Sequence, residues 1–136
     1  MISFNYETDF ELQNETAVSQ WISSVISEEQ FNEGEINYIF CDDDYLLNLN
    51  IEFLNHDTLT DIISFDYTLG KQINGDIYIS VERVIDNAKD FKVELETELN
   101  RVMIHGVLHY CGYKDKAKTD QKLMRSKENY YMSKLA

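Results

Sequence analysis

The chain has 136 residues, 43% of them hydrophobic, and a formal net charge of −13. This length predicts a single domain over residues 1–136, and the hydrophobic content excludes a chain that is disordered throughout. Because no apolar run is long enough for a membrane span and the first residues lack the features of a signal peptide, we expect a cytoplasmic protein without a membrane segment.

The first half of the chain alternates between strand and helix patterns. Residues 2–7 alternate apolar and polar side chains, which is typical of a half-buried strand. Apolar residues recur at steps of three and four over 18–26, which predicts an amphipathic helix. Residues 36–41 carry apolar side chains on both faces of a second strand, and the helix predicted over 46–53 follows an acidic run that suits a helix start.

Two further strands are predicted close together. They cover residues 62–67 and 76–81, and the short connection between them contains Gly70 and the pair Asn74-Gly75. Gly70 and the Asn-Gly pair are turn signals, so we expect the two strands to form a hairpin.

Helix patterns fill the rest of the chain. They cover residues 84–91, about 94–111 and about 120–135; Gly112 is placed to end the second of these helices, and Thr119 is placed to cap the third. The predicted order is therefore β-α-β-α-β-β-α-α-α. It indicates an α/β (α+β) fold in which a mixed sheet of about four strands packs with about five helices.

The charge is distributed unevenly. Residues 101–136 contain eight Lys and Arg against three Asp and Glu, a net charge of +5, whereas residues 1–100 carry a net charge of −18. A local positive field attracts a phosphate backbone that the rest of the surface repels. A solvated basic helix is the alternative explanation of this pattern.

The basic segment also contains a candidate metal site on the helix near the C-terminus. His105 and His109 are four residues apart, so they point the same way on a helix, and Asp115 follows the helix-ending glycine. From Val102 to Cys111 there is no charged residue, so this half is buried or lines a cleft. Three such groups hold a divalent metal and leave a position for water, although two core histidines with hydrogen-bond partners are the structural alternative.

A second polar cluster covers residues 55–61, between a predicted helix and a predicted strand. Its His56 is the third and last histidine of the chain, and we consider it as a fourth ligand, a proton shuttle or a surface residue. Gly106 stands where common zinc peptidases carry the Glu that acts as general base, which weighs against a peptidase.

Three blocks together resemble the YbeY family of bacterial metal-dependent endoribonucleases, which are linked to ribosomal RNA maturation. The resemblance extends over nearly the whole chain. The blocks are, in chain order, Leu49-Asn50 with Asp57 and Thr60-Asp-Ile-Ile-Ser-Phe65, then Gly75-Asp-Ile-Tyr-Ile-Ser80, then His105-Gly-Val-Leu-His109 with Gly112-Tyr113.

The chain departs from the family pattern at two places. The family's third ligand is usually His, where this chain has Asp115, and the residue before it is Lys114 instead of Asp. An Asp keeps an oxygen ligand at the same spacing, but it lowers the charge of the site by one. The second departure is Leu54, where the family usually has an Arg thought to help with the phosphate; we hypothesise that His56 takes that role.

Taken with the resemblance, these residues predict a single metal-dependent hydrolase domain over 1–136. We expect one Zn²⁺ per chain on His105, His109 and Asp115, and a zinc-activated water that hydrolyses phosphodiester bonds in ribosomal RNA processing. The expected partner is RNA, either ribosomal RNA or the small ribosomal subunit, bound by a monomer. Candidates for contacts to the RNA backbone are Lys114, Lys116, Lys118 and Arg125.

Two alternatives belong to other functional classes. A ribosome-assembly or binding module with a structural zinc needs four protein ligands and no open position, which His56 could complete. An Fe(II) oxygenase also uses two His and one carboxylate, but those ligands usually come from a β-sandwich and not from a helix.

Overall fold

The computed structural model describes residues 1–135, and within that range the chain forms four strands and five helices in the predicted order. No helix in this range is both long and apolar enough to cross a membrane. The elements are, in chain order, β1 (Ile2–Tyr6), α1 (Glu15–Glu28), β2 (Asn32–Cys41), α2 (Asp43–Leu54), β3 (Ile62–Asp66), β4 (Gln72–Ser80), α3 (Val81–Phe91), α4 (Leu95–Tyr110) and α5 (Lys118–Met132).

The strands form one mixed sheet in the order β1-β2-β4-β3. β2 lies parallel to both β1 and β4, and β3 pairs antiparallel with β4. The predicted mixed sheet of four strands with five helices is therefore confirmed. β3 is an edge strand, so the loop that leads into it, residues 55–61, lies beside the open edge of the sheet.

The main core lies on one face of the sheet. There Ile36, Tyr38 and Phe40 of β2 and Ile77 and Ile79 of β4 are fully buried against α1, α3, α4 and α5. Their alternation follows the two-residue period of a strand, which sends every second side chain to the same face. α2 covers part of the other face with a smaller cluster of buried residues, Cys41, Leu46 and Ile63.

α4 is buried on almost every side. From Val102 to Tyr110 its residues are buried except for His105 and His109, which are half-buried. A Cβ atom at Gly106 would lie 3.0 Å from Ile77 Cδ1, so the helix approaches the sheet closely at this residue. The helix ends as predicted at Gly112, whose φ of 101° is a conformation that favours glycine.

The predicted hairpin of β3 and β4 is present, and of its two turn signals only Gly70 lies at the reversal. Asn74 and Gly75 lie inside β4, and the chain reverses at Gly70 and Lys71. Tertiary contacts explain the two misread residues. The Asn74 side chain accepts a hydrogen bond from the Glu35 backbone N–H at 2.9 Å, and the Tyr110 ring occupies the space beside Gly75.

The predicted cap of the last helix is also wrong. α5 begins at Lys118 with Ala117 at the N-cap position, and no side chain caps the helix. Thr119 therefore lies within the first turn, where its hydroxyl cannot act as the N-cap.

The packing of Tyr110 against Gly75 yields a stability prediction. A Cβ at Gly75 would lie 2.4 Å from Tyr110 Cζ, and the Tyr110 hydroxyl donates to the Phe65 and Asp76 carbonyl oxygens at 2.9 and 3.2 Å. We expect Gly75→Ala to lower the free energy of unfolding by about 1–3 kcal/mol, the usual cost of overpacking a core. Denaturant unfolding measures this, and adding the methyl group in a Tyr110→Ala background should cost less. Equal costs in the two backgrounds would contradict the described packing.

Candidate metal centre

The two histidines lie on the one stripe of α4 that faces away from the core. Arg101, His105 and His109 follow one another at intervals of four residues and are half-buried, whereas their neighbours on the helix are buried. All three line a cavity of about 430 Å³. The other walls of this cavity come from the loop before β3, from α3, from Asp115 and from α5.

Asp115 closes the site from the other side. Its Oδ2 atom lies 3.1 Å from His105 Nε2 and 3.2 Å from His109 Nε2. The reversal at Gly112 carries the chain back over the end of α4, and this brings the carboxylate to the histidines. One ligand atom from each residue lies within 4.8 Å of the other two, so the three side chains predicted from the sequence do converge.

This donor set suits a divalent metal ion. Two imidazole nitrogens and one carboxylate oxygen are the ligand types of catalytic zinc sites, in which three protein ligands leave a fourth position for water. Within residues 1–135, no further His, Cys, Asp or Glu joins the group. The residues present therefore fit a zinc ion with an open coordination position.

Glu128 of α5 fixes the first histidine, and the sequence analysis missed it. Its Oε2 lies 2.7 Å from His105 Nδ1, and the side chain is buried. A carboxylate on one ring nitrogen holds the imidazole so that the other nitrogen faces the metal. The sequence did contain a signal: Glu128 is an acid between Met124 and Tyr131, on the buried stripe of α5.

Two arginines compensate the buried charge of Glu128. Arg101 Nη1 lies 3.3 Å and Arg125 Nε lies 3.7 Å from Glu128 Oε1. Arg101 Nε also lies 3.7 Å from Oε1 of Glu98, whose side chain is buried. Arg125, predicted to contact RNA, thus faces Glu128, while about half of its side chain stays exposed in the cavity.

Burial and charge shift the pKa of two groups in this cavity. Burial disfavours the protonated form of His105, but the hydrogen bond to Glu128 and the nearby carboxylates outweigh it, so its pKa is raised above 6.5. For Asp61 burial acts in the opposite direction, because it disfavours the ionised carboxylate, and it raises the pKa above the usual 3.8. Asp61 accepts a hydrogen bond from Asn87 Nδ2 at 3.4 Å and lines the same cavity as the histidines. The sequence analysis assigned it no role.

His56 and the predicted basic residues lie at different distances from this centre. His56 is exposed and does not join the three-residue group, but it lines a second cavity of about 510 Å³ together with Lys116, Leu54 and His109. His109 therefore borders both cavities. Lys118 lines a third, shallow cavity along α5, and Lys114 is exposed.

A solved structure has the same fold as this chain. The solution structure of a protein from Thermotoga maritima superimposes with a TM-score of 0.74 and covers 99% of this chain and 89% of its own, at 27% sequence identity.

Comparisons of sequence agree with this fold. A family model described as endoribonuclease YbeY matches residues 2–136. The endoribonuclease YbeY of Flavobacterium psychrophilum is 70% identical over 129 residues, which cover 95% of this chain and 92% of the relative. The endoribonuclease YbeY of Flavobacterium johnsoniae is 68% identical over 129 residues, 95% of this chain and 93% of the relative. The chain therefore belongs to the endoribonuclease YbeY family.

Proposed function

We propose that this protein is a zinc-dependent endoribonuclease that acts on ribosomal RNA during ribosome biogenesis in the cytoplasm. The observation that carries the proposal is the convergence of His105, His109 and Asp115 in an open cavity of a chain that belongs to this family. We further propose one ion per chain and a monomeric enzyme.

The protein ligands would be the two Nε2 atoms and one carboxylate oxygen of Asp115. A zinc ion in such a site lowers the pKa of a bound water toward ~7 and offsets charge on a phosphodiester under attack. Asp115 stands where the resemblance leads one to expect His, so the site carries one more negative charge. Glu128 keeps His105 in the tautomer that presents Nε2 to the metal.

Asp61 is the group we assign to proton transfer. Its carboxylate lines the cavity of the candidate ligands, and its raised pKa makes it a better base toward water at near-neutral pH than an exposed Asp. Hydrolysis adds the water oxygen to phosphorus and releases a ribose oxygen. Asp61 would take the proton from the attacking water and return it to the departing oxygen.

Basic side chains of the second cavity, which His109 also lines, would hold the RNA backbone. His56 and Lys116 line the second cavity, so we assign to them the phosphate nearest the reaction centre. His56 would then serve where the family usually carries an Arg. Lys114, Lys118 and Arg125 would contact more distant phosphates, and each such contact should add to the salt dependence of binding.

The two alternatives are less well supported. A structural zinc needs a fourth protein ligand, and no such residue joins the group within residues 1–135. An iron-dependent oxygenase is not favoured by membership in a family described as endoribonucleases.

Removing one ligand tests the proposed function directly. We expect His109→Ala to lose both bound zinc and RNA cleavage, because two remaining ligands cannot hold the ion tightly. His56→Ala is the matched control: it removes an imidazole that borders the same centre, so it should keep zinc and lose part of the activity. Elemental analysis and cleavage of a ribosomal RNA fragment measure the two quantities. Equal cleavage by wild type and His109→Ala would contradict the proposal.

The support of His105 by Glu128 predicts an effect on zinc affinity. We expect Glu128→Gln to weaken zinc binding by roughly 10- to 100-fold, the usual effect of losing a carboxylate that orients a ligand. Glu98→Gln is the control, since Glu98 is also buried and also contacts Arg101 but does not bond to a histidine. Competition with a chelating dye gives both affinities. A similar loss in the two variants would show that Glu128 acts through general stability.

We expect the ionised Asp61 carboxylate to lower the free energy of unfolding of the chain while it takes part in catalysis. Because its pKa is higher in the folded chain than the usual 3.8, its ionisation costs folding free energy, and this cost is absent at low pH and complete above the folded-state pKa. In the presence of a chelator, we expect Asp61→Asn to unfold at a higher temperature than wild type, by a margin that begins to grow near the usual Asp pKa of 3.8 and levels off above the raised folded-state pKa of Asp61. With zinc, the variant should cleave RNA poorly.

The exposed Asp9→Asn is the control for this substitution and should leave both properties unchanged. An Asp61→Asn protein that is less stable than wild type at every pH would contradict the assigned electrostatic cost. Full cleavage activity in that variant would contradict the assigned proton transfer.

A further inference from the structure

Phe91, the last residue of α3, is an exposed aromatic side chain on the wall of the metal cavity. Val81, Val84 and Ala88 form the buried stripe of α3, and the same spacing continues to Phe91. Yet Phe91 is 57% exposed and lines the cavity of the candidate ligands. The buried stripe thus ends in the Phe91 side chain, of which about half is exposed to solvent.

Polar side chains line the same cavity as the Phe91 ring. Asn87 lies one turn earlier on α3 and donates to Asp61, and Arg101 comes from α4. Asn87 and Arg101 are half-buried, and a purely apolar ligand would remove their remaining contact with water, which costs free energy. A planar ring with polar edges, such as a nucleobase, could cover Phe91 and still meet hydrogen-bonding side chains.

Two exposed cations lie close to Phe91 in the sequence. The first 100 residues carry only four Lys and Arg against 22 Asp and Glu, so cations are scarce there. Arg83 is paired with Asp43 and Asp86, and Lys71 lies over the Phe31 ring. The other two cations, Lys89 and Lys92, are exposed near Phe91 in the sequence, where Asp90 and Glu94 are exposed as well. Lys92 directly follows Phe91 and is thus the cation placed to contact a phosphate beside a base that covers the ring.

We propose that Phe91 stacks on the base of a nucleotide adjacent to the cleaved phosphodiester, and that Lys92 contacts a neighbouring phosphate. The proposal rests on the proposed endoribonuclease function and adds a residue that positions the substrate. Base–aromatic stacking contributes enough that its loss weakens binding by roughly 5- to 150-fold.

Three substitutions at this position separate stacking from packing. Phe91→Ala removes the ring, Phe91→Leu keeps apolar bulk without a π-face, and Phe91→Trp keeps a π-face. For the zinc-loaded enzyme on an oligoribonucleotide, we expect Ala and Leu to raise KM by roughly 5- to 150-fold with little change in kcat, and Trp to retain the wild-type KM. The control is Tyr130→Ala, which removes an exposed aromatic side chain of α5 that does not line the cavity.

A binding signal makes the test independent of cleavage. RNA should quench the emission of Phe91→Trp beyond any change in the wild type, whose single Trp21 is buried. A wild-type KM in Phe91→Leu, or no quenching beyond wild type in Phe91→Trp, would overturn the proposal. A wild type that binds RNA without cleaving it would instead count against the proposed function, and the quenching would still decide the role of Phe91.

Discussion

The hydrogen bond between His105 Nδ1 and Glu128 Oε2 is the interaction on which the site depends. It joins α4 to α5 at 2.7 Å and fixes which nitrogen of His105 faces Asp115. Without this hydrogen bond the imidazole could rotate, and the three donor atoms would no longer point at one metal position. A buried carboxylate also needs compensating charge, which explains why Arg101 and Arg125 approach Glu128 from two helices.

The same constraint shapes the surrounding cavity. From Val102 to Tyr110, α4 is buried except at His105 and His109, so the half-buried side chains of this segment face the cavity. Asp61 and the uncovered ring of Phe91 complete the cavity from the loop before β3 and from α3. Half-buried charges and an exposed aromatic ring are costly for stability, and such costs are common where a protein must bind and react.

Local sequence patterns predicted much of this arrangement. The four-residue spacing of the histidines places them on one side of a helix whatever the tertiary structure, and Gly112 favours the reversal that returns Asp115. Glu128 is different, because its contact with His105 joins residues 23 positions apart and depends on how α5 packs. The turn predicted at Asn74-Gly75 is absent for a related reason. The contacts of Gly75 with the Tyr110 ring and of Asn74 with the Glu35 backbone outweigh the local turn preference, and they form only in the folded sheet.

The central claim is that two histidines and one aspartate hold a zinc ion with a position open to water. X-ray absorption at the zinc edge of the loaded protein measures this coordination shell directly. The account predicts two imidazole ligands and two oxygen ligands at about 2.0–2.2 Å, one oxygen from Asp115 and one from water. A shell of three imidazoles and one carboxylate oxygen would place His56 on the metal beside Asp115 and leave no position for water, which would contradict the account.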